Sequence, residues 1–170
     1  MDYFKLFLIN GVLGYFLQTM GYVIAIAAFN KKSLNIRDLF FRTLVFSIVT
    51  YFIRQISAIN FGFHTILIMI VFIVISIRFF KTASYPTVLA VLLTSVMIIV
   101  CETINYGLLS LIFSSETISF LLKGGETLEG QINKALVGVP TNIMSIGFIT
   151  IFYKFQMKKL KKENAKGEAG

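Results

Sequence analysis

The chain has 170 residues, of which 56% are hydrophobic and only 14% are charged; the formal net charge is +8 and the mean hydropathy +0.82. The length suits one domain of about 100–200 residues, but a soluble domain carries about 25% charged residues, so polar surface is lacking for a globule in water. The same composition, with 12 Gly, 2 Pro and the single Cys101, excludes disorder, collagen and a disulfide scaffold.

The solvent implied is a bilayer, which a helix crosses with about 20 apolar residues spanning roughly 30 Å. A first stretch meets this over residues 6–29, interrupted by Asn10, Gln18, Thr19 and glycines and stopped by Asn30-Lys31-Lys32. It reads as a retained span rather than a cleaved signal peptide, because the basic residues follow the apolar run. A second span covers residues 39–58 and carries Arg42 near one end and Arg54 near the other. The third, 61–80, is the most apolar, and the fourth, 86–113, opens on Pro86, a residue suited to the first turn of a helix. Residues 114–134 form the long connection, within which Ile118–Leu122 reads either as a short helix lying on the outer leaflet or as an ordinary loop. A fifth span covers 135–153, and residues 154–170 form a basic tail whose default role is contact with anionic lipid.

The charges give the orientation. With the amino terminus outside, the inner side collects Lys31, Lys32, Arg37, Arg42, Arg78, Lys81 and six tail lysines, twelve of the 16 basic residues. The outer side keeps Lys5, Arg54, Lys123 and Lys134. This is the asymmetry the positive-inside rule requires. The expected fold is therefore an all-α integral membrane bundle of about five transmembrane helices, amino terminus out and carboxyl terminus in.

An ionisable side chain at a membrane helix centre costs on the order of 2.5–3.5 kcal/mol on insertion scales, so it calls for a partner or a role. Glu102 lies roughly 24 Å along its helix from Pro86, and Arg54 roughly 24 Å from Asp38, at 1.5 Å per residue. Their matched depth predicts an ion pair in the outer half of the bilayer. Ser95, Asn105 and Tyr106 are spaced to share the face of Glu102. Asn10, His64 and Asn142 fall at a similar depth. Gly11, Gly14, Gln18 and Gly21 on the first span, and Gly138, Asn142 and Ser145 on the fifth, are spaced for close helix contact. Two readings stand side by side: these residues pack the bundle, or Glu102, Arg54, Asn105, His64, Asn10 and Asn142 line an outward-facing polar pocket for a ligand.

Catalytic and metal chemistry find no support. His64 and Cys101 belong to no nucleophile motif, one His and one Cys supply too few metal ligands, and no phosphate-binding loop follows a strand. No cofactor and no nucleic-acid partner is expected.

The Ile/Phe-rich spans, the run Asn60-Phe61-Gly62-Phe63-His64-Thr65-Ile66-Leu67 and the Lys-rich exit from the last span resemble the amino-terminal membrane sensor region of accessory-gene-regulator-type, peptide quorum-sensing histidine kinases. The chain departs from that pattern by stopping where the kinase would begin. The resemblance implies a sensor-like or regulatory module in a bacterial plasma membrane, with a peptide ligand or a membrane histidine kinase or other membrane protein as partner besides the lipid bilayer. The membrane peptidase of the same systems needs its His and Cys close in sequence; here they are 37 positions apart. A small-solute transport subunit and a structural membrane scaffold are the competing expectations.

Overall fold

The computed structural model of the chain describes residues 14–56, 61–123 and 128–167. They form six α-helices: α1 (Leu17–Phe29), α2 (Ile36–Arg54), α3 (Phe61–Arg78), α4 (Ser84–Ile112), α5 (Ser115–Lys123) and α6 (Leu128–Gly167). No strand occurs among the described residues.

The centre of the bundle is α1. Every residue from Gly21 to Ala28 is buried, as expected of a helix that is apolar all round. It packs against α2, α4 and, most extensively, α6, while α3 bridges α2 and α4. Gly21 lies at the α1–α6 contact, where a Cβ would rest 3.4 Å from Ile149 Cδ1. Across the α1–α2–α3 seam, Phe72 stacks on Phe46 at 4.1 Å and meets the Tyr22 ring edge-on at 5.2 Å. Both phenylalanines are at most 1% exposed.

One end of the bundle is basic and tied by hydrogen bonds. Helix α1 stops in a Schellman turn, with Lys31 N–H donating to Ala28 O, Lys32 N–H to Ala27 O, and Lys31 in the left-handed region at φ 53°. Lys81 takes the same conformation after α3. The Asn30 side chain joins the two turns: its Nδ2 donates to Ile26 O and Thr87 Oγ1, and its Oδ1 accepts from Ala83 N–H. Lys32 Nζ donates to Lys81 O, and Leu34 N–H donates to the Tyr153 hydroxyl of α6. Asn35 caps α2 by accepting from Asp38 N–H. The Lys31–Glu163 pair at 3.7 Å is solvent-exposed and adds little.

Helices α2, α3 and α4 lie within a few residues of the expected spans 39–58, 61–80 and 86–113, of which residues 57–58 lie outside the described residues; of the three, α4 alone is long and apolar enough to cross a membrane. Of the 6–29 stretch, residues 17–29 are the described helix, preceded by a π turn over 14–16. The fifth differs. Its helix begins at Leu128 and continues through the lysine-rich tail to Gly167, 40 residues in all, because the tail consists of strong helix formers (Lys, Gln, Met, Leu, Glu, Ala). The segment around Ile118 resolves as a helix, α5, with Ser114 Oγ accepting from Thr117 N–H at its start and Ile118 buried.

Helix α4 and the Leu136–Glu163 part of α6 are long and apolar enough to cross a membrane. Their most apolar windows are only 33% and 22% buried. Large apolar side chains face outward along the helices, among them Phe52, Ile70, Ile99 (60% exposed), Ile143 and Ile151 (68% exposed).

Candidate functional site

Away from the basic end, the carboxyl end of α2, the first half of α3 and the amino-terminal half of α1 border a small cavity of about 30 Å³. Gln18, Thr19, Tyr22, Thr50, Arg54 and Thr65 line it, with Ile68 and Phe72 as its apolar floor. Several of these polar groups are already spent. Thr19 Oγ1 donates to Phe16 O or Thr43 O, Thr50 Oγ1 donates to Phe46 O, and the Tyr22 hydroxyl is 2.8 Å from Ser95 Oγ. The Arg54 guanidinium lies over the Tyr15 ring at 4.9 Å, which holds the cation against an aromatic face. Arg54 is the charged residue of this lining, beside the amide of Gln18 and the hydroxyl of Thr65. Its volume suits a water molecule or two.

The expected cluster does not assemble around this cavity. Arg54 lines it; Glu102, Asn105, His64 and Asn142 do not. Glu102 is exposed on α4 and forms no ion pair with Arg54 within 4.0 Å, although the two charges interact at longer range. The reason is azimuth. The buried stripe of α4 runs through Thr87, Ala90, Val91, Thr94, Ile98, Cys101 and Asn105, and Glu102 stands about 100° further round than Cys101. Ser95 and Asn105 turn inward from that edge, whereas Glu102 and Tyr106 turn outward, so the shared face is split.

The other polar residues clip helices together. Asn105 Nδ2 donates to Val137 O at 2.8 Å, beside Pro140, whose missing N–H weakens the local ladder of α6. Asn142 Nδ2 donates to Gly14 O, joining α6 to the start of α1. His64 Nε2 is 3.0 Å from Ile56 O, tying the start of α3 to the end of α2. Gly138 meets open space rather than a neighbouring helix. Asn10 and Gly11 lie outside the described residues. Cys101 is a buried free thiol, and no group of three His, Cys, Asp or Glu side chains suited to a metal occurs among the described residues.

Replacing Asn105 with leucine is expected to lower stability by about 1–2 kcal/mol, the loss of one buried interhelical hydrogen bond. Denaturant titration of the purified protein in detergent measures it. An unchanged midpoint would mean that the Val137 carbonyl does not depend on the amide.

Sequence reasoning missed Thr50, Thr65 and Tyr22 as cavity residues. Threonines and a tyrosine on otherwise apolar helices are common packing residues, and no spacing rule marks them. Comparison with protein-family models, curated proteins and solved structures finds no match.

Proposed function

We propose that the chain is a multi-pass protein of a bacterial plasma membrane, amino terminus out and carboxyl terminus in. It acts without catalysis, as a sensor-like or regulatory module whose Arg54 cavity opens to the outer side. The observation that carries the reading is the segregation of charge along the bundle. Lys31, Lys32, Arg37, Arg78, Lys81 and the lysines of α6 beyond Tyr153 collect at one end, and the Arg54 cavity lies away from it. Between them the helices present apolar side chains outward. A soluble core helix hides its apolar windows; these leave most of theirs uncovered, which hydrocarbon solvates without penalty. Basic residues at the inner end agree with the positive-inside rule.

The cavity also weighs between roles. Small-molecule pockets occupy about 300–1,000 Å³, so an enclosed solute, as a transport subunit would hold, does not suit a volume near 30 Å³. An arginine-lined recess that meets only one carboxylate or carbonyl of a larger ligand, such as a peptide, suits it better. Copurification separates the readings, with a histidine kinase accompanying a regulatory module and an ATPase accompanying a transport subunit.

Single cysteines placed in a Cys101→Ser background test the topology and the opening together. Thr65→Cys is expected to react with a membrane-impermeant maleimide in intact cells, and Lys158→Cys only after permeabilisation. The reverse pattern would overturn the orientation, and silence at Thr65 with normal labelling of Lys158 would close the cavity to the outside.

A further inference from the structure

We infer that the outward face of α4 around Glu102 seats a transmembrane helix of another protein, one that presents an arginine at the same depth. The inference rests on the membrane reading above. Glu102 is exposed and, among the described residues, its carboxylate has no hydrogen-bond or ion-pair partner within the chain. Along the outward surface of α4, exposed apolar side chains stand before Glu102, at Val96, Ile99 and Val100, and beyond it, at Ile104, Leu108 and Leu111, while its nearest outward neighbours are Ile99 and Tyr106. It therefore sits inside the apolar belt rather than at its rim. Intramembrane carboxylates are rare, and they face a partner or a wet cavity.

The chain's own cation does not serve. Arg54 is committed to the Tyr15 ring and the cavity, and it acts on Glu102 only beyond ion-pair distance. A second copy docked symmetrically on this face would bring two Glu102 carboxylates together, which like charge opposes. A foreign cation does fit. Tyr106, one turn on and 53% exposed, offers an aromatic ring beside the carboxylate. A guanidinium can pair with the acid and stack on the ring at once.

The test uses the full chain in phosphatidylcholine–phosphatidylglycerol vesicles. The probe is a synthetic Leu/Ala transmembrane peptide of about 23 residues with one arginine at the depth of Glu102; the control peptide has leucine there. Energy transfer between labelled chain and peptide reports association. The arginine peptide is expected to bind about tenfold more tightly than the leucine peptide, the size of a strong interhelical polar contact. That preference disappears in Glu102→Gln and Glu102→Leu, while helical content and thermal transition stay unchanged. Equal binding of the two peptides by the native chain overturns the inference. So does energy transfer between differently labelled copies that Glu102→Leu abolishes, which assigns the face to self-association. A chain washed from the vesicles by alkaline carbonate overturns the membrane reading itself; an inserted chain indifferent to arginine overturns only the partner.

Discussion

Replacing Phe72 with alanine is expected to cost about 3–5 kcal/mol of stability. The side chain is fully buried and joins three helices at once, stacked on Phe46 of α2 and edge-on to Tyr22 of α1. A void at this point removes contacts from every wall together. Phe72 is also the floor of the Arg54 cavity, so the truncation enlarges a polar recess with apolar space that water fills poorly. Phe72→Leu keeps much of the volume and is expected to cost less than half as much. Denaturant titration in detergent micelles reads both variants. A cost below about 1 kcal/mol for alanine, far under the usual range for a buried phenylalanine, would mean that the aromatic seam does not hold the helices.

The second large effect is expected at Asn30. Asn30→Leu keeps the size of the side chain and removes three hydrogen bonds, to Ile26 O, Thr87 Oγ1 and Ala83 N–H. The expected loss is about 2–3 kcal/mol, because Thr87 is fully buried and its neighbours are left with fewer partners. Asn30→Asp is the informative companion. Its carboxylate still accepts from Ala83 N–H but cannot donate to Ile26 O, so it should recover part of the loss. If Asn30→Leu melts like the native chain, the two basic turns are held by Lys32 and Tyr153 rather than by Asn30.

Asn30 also marks the limit of what the sequence conveys. It was legible as the residue that stops an apolar run, and the run did end there. Its part as a joint between two turns depends on Ala83 and Thr87, more than 50 positions away, which no local pattern brings together. Helices α2, α3 and α4 were legible because apolar length and flanking charge are local quantities. The extent of α6 was not: the lysines that end an apolar span are good helix formers, so the helix continues where the span would stop. At the site, the identity and depth of the polar residues could be read, but azimuth could not. Cys101 and Glu102 are neighbours, and the rotation between them separates a core position from a surface one. The stripe of Thr, Ala, Val and Ile that decides it becomes visible only once α1 is known to lie at the centre.

Helix α6 has a mechanical consequence. Forty residues without a break make a rod of about 60 Å at 1.5 Å per residue. Asn142 pins it to α1 near Pro140, and the Tyr153 hydroxyl pins it again beside the basic turns. Past that second pin the rod is a cantilever carrying Lys158, Lys159, Lys161 and Lys162. With Tyr153 as fulcrum, a tilt of about 5° swings Lys162, about 13 Å along the axis, through about 1 Å. A bend beyond the second pin that leaves the packing around Gly14 untouched thus moves four positive charges together.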